Sequence, residues 1–188
     1  MFDRIAILAP GLLGASVARA ARHYGAARQL TLWARRPETR LQLKGQPWCD
    51  RVADTAADAV RDAQLVVICA PVDQIVALVT QTAPALAAGA IVTDVGSVKG
   101  EICRLSHKVL NGRAHFVGSH PMAGSEKTGW EHSRADLFTR RTVFVTPLAE
   151  TDAQSTGRIA AFWTALAADV ATLEPAAHDE IVAHISHL

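Results

Sequence analysis

Apolar and polar positions alternate along this chain in blocks that switch between two periods. Short, nearly continuous apolar runs rich in β-branched residues occur at Arg4–Leu8, Gln29–Trp33, Leu65–Cys69 and Ala90–Asp94. Their length and density predict strands buried on both faces. Helical spacing fills the gaps. Gly11 to Tyr24 places Leu12, Ala15, Val17, Ala18 and Ala21 on an inner face, with Gly25 positioned to end the helix. A short helix follows Pro37, and a short strand lies near Arg51 to Ala53. Pro71 to Leu86 is helical, broken near Pro84 or running past it. Val98 to Leu110 is another helix, and Ala114 to Gly118 a sixth strand. Strands separated by helices predict an α/β fold with a mostly parallel sheet covered on both faces. In such sheets ligands bind beyond the carboxyl ends of the strands.

The rhythm breaks at Ser119 to Asp136, which is polar, glycine-containing and without period. That length exceeds a passive connection in a compact α/β unit and predicts a functional loop. Order resumes with a strand at Thr142 to Thr146. Thr151 and Gln154 have the spacing of a capping box for the next helix, whose Ile159, Phe162, Trp163 and Leu166 form a core-facing stripe. A last strand, Val170 to Leu173, leads through Pro175 into a final helical segment.

Composition narrows the class. The 188 residues are 49% hydrophobic and 20% charged, which is globular rather than disordered. Nineteen basic and 18 acidic side chains leave a formal charge of +1, so no basic excess points to nucleic acid or an anionic membrane. No apolar run approaches the ~20 residues of a membrane span. Met1-Phe2-Asp3-Arg4 enters the first strand directly and does not resemble a signal peptide. Cys49, Cys69 and Cys103 are odd in number and widely spaced. They fit neither a disulfide framework nor a zinc site, and they suit the cytoplasm.

The first strand runs into Ala9-Pro10-Gly11-Leu12-Leu13-Gly14. Gly11 and Gly14 match the second and third glycines of the dinucleotide fingerprint G-x-G-x-x-G, and Ala9 replaces the first. This predicts a Rossmann-type, doubly wound fold, with Gly11, Leu12, Leu13 and Gly14 opening a helix whose free N–H groups face a pyrophosphate. Ala9 is compatible with that turn if its φ stays negative, and Pro10 removes one donor. A plain tight turn is the competing reading. The second strand ends Trp33-Ala34-Arg35-Arg36-Pro37-Glu38. No carboxylate stands where one would bind the adenine ribose. Arg35 and Arg36 instead suit a 2′-phosphate, which favours NADP. Glu38 keeps NAD possible, and a solvated basic helix start reads the same residues without a ligand. Ala70 and Pro71, after the fourth strand, approach the same cofactor. Cys69 is a small buried hydrophobe rather than a nucleophile.

Two further segments carry a resemblance: Asp94-Val95-Gly96-Ser97-Val98-Lys99 and Val117-Gly118-Ser119-His120-Pro121-Met122-Ala123-Gly124-Ser125-Glu126. Behind a nucleotide fold, and with Gly129, Asp136, Leu137 and Phe138 following, they resemble the prephenate/arogenate dehydrogenase family of tyrosine biosynthesis. Asp179-Glu180 to Ser186-His187-Leu188 resembles the opening of that family's helical second domain. The resemblance implies oxidative decarboxylation of prephenate or arogenate with hydride transfer to a nicotinamide. It implies His120 as the catalytic base, a role that an imidazole suits near neutral pH, with Ser97 beside it. Ser97 also reads as a helix N-cap. Ser125, Glu126 and His187 fall at substrate-pocket positions, and Gly96 joins the cofactor set. Lys127 is a weak candidate for attracting a dianionic substrate. His184 and His187 form an i, i+3 pair, but a metal site needs further ligands that Asp179 and Glu180 do not obviously supply, so no metal is expected.

These readings predict residues 1–174 as an NAD(P)-binding domain and 175–188 as the first helix of a truncated, all-helical dimerisation and substrate domain. The resemblance implies a homodimer for the longer protein, and a chain of this extent that binds cofactor without full catalysis. Two alternatives stay open: another NAD(P)-dependent reductase on a related fold, and a non-catalytic nucleotide-sensing module.

Overall fold

A computed structural model describes residues 1–185. Among these residues six strands build the main sheet: β1 (Phe2–Leu8), β2 (Ala27–Trp33), β3 (Arg51–Val52), β4 (Leu65–Ile68), β5 (Ile91–Asp94) and β6 (His115–Phe116). Their order is β3-β2-β1-β4-β5-β6, and every pair is parallel. The winding reverses between β1 and β4, which opens a crevice at their carboxyl ends. The register aligns that edge: Leu8 pairs with both Trp33 and Ile68, and Ile68 with Asp94. The candidate segments after residues 8, 33, 68 and 94 therefore emerge side by side.

Helices α1 (Leu12–His23), α2 (Pro37–Leu43), α3 (Ala56–Val60), α4 (Val72–Thr82) and α5 (Gly100–Leu110) connect the strands. Side chains alternate along β1, so Ile5 and Ile7 enter one core layer while Ala6 and Leu8 enter the other. The alanine-rich face of α1 (Ala15, Ala18, Ala21) lies in the first layer. Ile75 and Val79 of α4 and Ile102 of α5 lie in the second. Pro84 falls in a 3₁₀ turn, Ala83–Ala85, just beyond the end of α4.

A second sheet contains β7 (Gly118–Pro121), β8 (Thr142–Thr146) and β9 (Asp169–Thr172). β7 runs antiparallel to β8, and β9 parallel to it. The single strand expected at 114–118 is thus divided between two sheets. His120 lies on β7 opposite Phe144, not in a loop. Ser119 points inward, where Trp163 Nε1 donates to its hydroxyl at 3.0 Å. Alternation along the strand turns His120 to the other face.

Helix α6 (Ala153–Ala165) covers the Ser119 face, and α7 (Pro175–Ile185) lies against β8 and the start of α5. The cap of α6 differs from the capping box expected at Thr151. Asp152 is the N-cap and accepts from the Ser155 N–H at 2.7 Å, while the Thr151 hydroxyl accepts from the Leu148 N–H at 2.9 Å. Among the described residues no helix is long and apolar enough to cross a membrane.

Candidate functional site

A cleft of about 1000 Å³ opens over the carboxyl ends of β1, β2 and β4. Ala9, Pro10 and Gly11 form its floor, Trp33 to Arg36 one side, Ala70 and Pro71 the other. Thr128 to Glu131 close it from above. The Ala9 backbone is left-handed, φ 58°, contrary to the negative φ required of it above. The turn is held by the Ala9 N–H donating to Trp33 O at 2.9 Å and the Gly11 N–H donating to Ala9 O at 2.8 Å. The second bond brackets Pro10, whose fixed φ suits the centre of such a three-residue turn.

Gly11 is the N-cap of α1 and makes no side-chain cap bond, so the first N–H groups of the helix keep no side-chain acceptor there. A Cβ on Gly11 would meet nothing within 4 Å. Open space above a helix N-terminus is what a bound pyrophosphate requires. Gly14 does a different job. A Cβ there would come within 3.0 Å of Cys69 Cβ and 3.3 Å of Ile7 Cγ2, so its absence lets α1 press against β1 and β4. Leu12 and Leu13 pack their side chains on the core rather than the cleft. Burial, with the Asp94 charge adding, pushes the Cys69 thiol up, which leaves it protonated.

At the end of β2, Ala34 is buried at the cleft wall and offers no carboxylate. Arg35 and Arg36 are exposed on the rim. Arg40 adds a third guanidinium, donating to Ala34 O at 2.8 Å and Arg35 O at 3.0 Å. The cover over this end is anchored at two points. The Arg134 N–H donates to Ser16 Oγ at 3.1 Å, and Trp130 Nε1 donates to Gln42 Oε1 at 3.4 Å. Trp33 Nε1 is enclosed without a hydrogen-bond partner at the cleft wall.

His120 is held by a chain of contacts from α7. Its Nδ1 lies 2.9 Å from His178 Nε2, and His178 Nδ1 lies 2.8 Å from Asp179 Oδ1. Asp179 also accepts from the backbone N–H groups of Lys99 at 2.8 Å and Gly100 at 2.9 Å. Burial opposes ionisation of Asp179. The Gly100 N–H, the His178 ring and the Lys99 N–H outweigh it and hold the carboxyl below its usual range. Burial, the neighbouring His178 and the Lys99 charge lower the His120 pKa to about 4, against a smaller pull from Asp179. His120 is therefore a neutral imidazole at pH 7, able to take a proton.

The other candidate residues scatter more widely. Ser97 is exposed and is not an N-cap, because α5 begins only at Gly100 with Lys99 as its cap residue. Among the described residues no hydrogen bond joins Ser97 to His120. Gly96 is buried, and a Cβ there would come 2.8 Å from Ile75 Cδ1 and 2.9 Å from Asp94 Oδ2. Ser125 and Glu126 are exposed, the former accepting from the Lys127 N–H at 2.9 Å. His184 Nδ1 lies 2.6 Å from Glu180 O. His187 lies outside the described residues. Sequence reasoning missed His178 as a partner of His120. It also missed Lys99 beneath the site and Trp130 above the cleft. A His-Asp pair following a helix-opening proline was the available signal for the first. Nothing in the sequence marks Trp130.

Together, the strand order, the reversal crevice and the open helix N-terminus define a nucleotide-binding α/β domain. Over residues 17–172 the chain matches the family described as prephenate dehydrogenase, nucleotide-binding domain, and it belongs to that family. It is 35% identical over 188 residues to a cyclohexadienyl dehydrogenase of Zymomonas mobilis, covering all of this chain and 64% of the relative. The structure of Synechocystis arogenate dehydrogenase superposes with a TM-score of 0.90 at 29% identity, covering 98% of this chain and 64% of that one. A prephenate dehydrogenase of Aquifex aeolicus, in complex with hydroxyphenyl propionate and NAD+, gives 0.89 at 27% identity over 96% of this chain and 63% of that one. The chain thus spans about two thirds of the length of these relatives.

Proposed function

We propose that this protein catalyses the oxidative decarboxylation of prephenate or arogenate with NADP, giving 4-hydroxyphenylpyruvate or tyrosine. His120, held on β7 with its Nδ1 2.9 Å from His178 Nε2, is the observation that carries the reading. Ser119 precedes it and bonds Thr93 Oγ1 at 2.8 Å and, through its N–H, Asp94 Oδ1 at 3.2 Å. His120 is thereby tied to the same carboxyl edge of the sheet as the cleft.

The cofactor fits the residues present. The N-terminus of α1 and the open space over Gly11 suit the pyrophosphate. Arg35 and Arg36 suit a 2′-phosphate, with Ala34 leaving that end free of negative charge. Ala70 and Pro71 form the opposite wall. When bound, NADP accepts the hydride from the ring carbon that bears the substrate hydroxyl. His120 Nε2 takes the hydroxyl proton as the ring ketone forms; loss of carbon dioxide then aromatises the ring to a phenolate, which takes the proton back from the imidazolium to give the 4-hydroxyl. Ser97 is assigned beside the hydroxyl, and Ser125, Glu126 and His187 to the substrate side. Residues 175–188 are assigned as the opening of a helical second domain, and the complete protein as a homodimer. Three unpaired thiols support a cytoplasmic setting.

The test has two stages. NADPH and NADH are titrated by nicotinamide fluorescence, and the complete gene product is then assayed on prephenate and on arogenate with NADP and NAD. His120→Ala should lower turnover by about a hundredfold or more and leave NADPH binding nearly intact. Absence of binding of either nucleotide at millimolar concentration overturns the reading.

A further inference from the structure

The contacts around His120 have a direction that follows from the chemistry of their last member. Asp179 is held ionised by two backbone N–H groups, so its carboxylate only accepts. His178 Nδ1, 2.8 Å from Asp179 Oδ1, must therefore be the protonated nitrogen of that bond. His178 is wholly buried, edge-on to Phe144 with ring centroids 5.4 Å apart. In a neutral ring protonated at Nδ1, Nε2 carries a lone pair. It faces His120 Nδ1 at 2.9 Å, so His120 must donate there. That assignment leaves the lone pair of His120 on Nε2, the nitrogen away from α7.

We propose that His178 and Asp179 are positioning residues for His120: they fix its Nδ1–H tautomer and ring orientation, so that Nε2 is the atom that accepts the substrate proton. The inference rests on the reading of His120 as the base and deepens it. It gives α7 a part in the chemistry although neither residue need touch substrate. Asp179 couples this function to the fold, because the same carboxylate closes the first turn of α5 from another element. Docking of α7 and orientation of the base are thus one event.

The tautomer is read directly from the side-chain nitrogen shifts of 15N-histidine-labelled protein at pH 7, with the His120 signals assigned by their loss in His120→Ala. Protonated Nδ1 and unprotonated Nε2 on His120 are expected. Protonated Nε2 on His120 overturns the proposal without any assay. His178→Phe keeps the ring volume and removes the acceptor. In the complete gene product it should lower kcat about 10- to 100-fold with KM changed less than about twofold. His178→Gln, whose amide oxygen accepts a hydrogen bond, should restore part of the loss. His178→Phe placed on His120→Ala should cost nothing further, since it acts through the missing ring. Full turnover in His178→Phe, or an undiminished effect of it without His120, overturns the proposal. Full turnover in His120→Ala instead overturns the base assignment, and the nitrogen shifts then report on the hydrogen-bond chain alone.

Discussion

Lys99 and Asp94 form an ion pair in which both side chains are wholly excluded from solvent. The pair grips the strand that carries His120. Lys99 Nζ donates to Ser119 O at 3.0 Å, and Asp94 Oδ1 accepts from the Ser119 N–H at 3.2 Å. Asp94 Oδ2 also accepts from the Gly96 N–H at 2.8 Å. Each charge is thus both paired and hydrogen-bonded, as burial requires. Lys99→Met leaves a buried carboxylate without its cation and is expected to lower unfolding free energy by about 3–5 kcal/mol. Adding Asp94→Asn to it should recover part of that loss. Urea unfolding of the two single variants and the double variant measures the coupling, and additive losses would show that the pair does not act as a unit.

Ala9 carries a left-handed backbone at the floor of the cleft. That conformation costs a residue with a Cβ roughly 1–2 kcal/mol. Glycine removes the cost but adds chain entropy to the unfolded state. Ala9→Gly is therefore expected to stabilise by up to about 1 kcal/mol, a rise of about 2–4 °C in Tm for a chain of this size. Ala9→Val should destabilise, since branching at Cβ worsens the same contact. A drop in Tm for Ala9→Gly in a thermal melt would show that the turn is not strained.

The main sheet was legible because Leu65–Ile68 and Ile91–Asp94 are buried on both faces and so read as continuous apolar runs. The second sheet was not. Gly118-Ser-His-Pro121 has neither apolar alternation nor β-branched residues, and its extended form comes from pairing with Val143 to Thr146. Tertiary context overrode local pattern there. His120 was singled out through its neighbours in sequence. His178 was not, because its place depends on how α7 docks, 58 positions away. Ser97 looked like a cap because a serine follows a strand, but Asp179 supplies a carboxylate to the α5 N–H groups from across the fold. Glycine spacing marked the turn whose Ala9, Pro10 and Gly11 line the cleft. It could not report that Gly14 serves packing against Cys69 while Gly11 faces open space.

The end of β2 offers a switch of cofactor. Ala34 is buried at the wall, between the strand and the exposed Arg35 and Arg36. An acidic side chain at such a strand end binds ribose hydroxyls and repels a 2′-phosphate. Ala34→Asp is expected to weaken NADPH about tenfold or more and to improve NADH. Arg35→Ala should weaken NADPH by a similar factor, the loss of one charge-assisted bond, and spare NADH. Fluorescence titration of both nucleotides against each variant decides it. Equal effects on NADPH and NADH would remove the argument for a 2′-phosphate.

His120 also sets how stability responds to acid. Its pKa is held near 4 in the fold, against 6.5 for an unperturbed histidine. The groups facing it are His178 and Asp179 from α7 and Lys99 at the start of α5. Between those two values the unfolded chain binds a proton that the native state refuses. Stability must therefore fall as pH drops from 6.5 toward 4. The contribution is about 1–2 kcal/mol once partial exposure of the ring is allowed for. Asp179 acts in a different window. Its pKa is depressed, so its contribution is present above its unfolded value of 3.8 and is lost only below that. His120→Gln should accordingly flatten the Tm-against-pH curve between 6.5 and 4.5 and leave the steep loss below pH 4 in place. A variant curve parallel to the parent across the upper window would mean that the His120 pKa is not depressed by the fold.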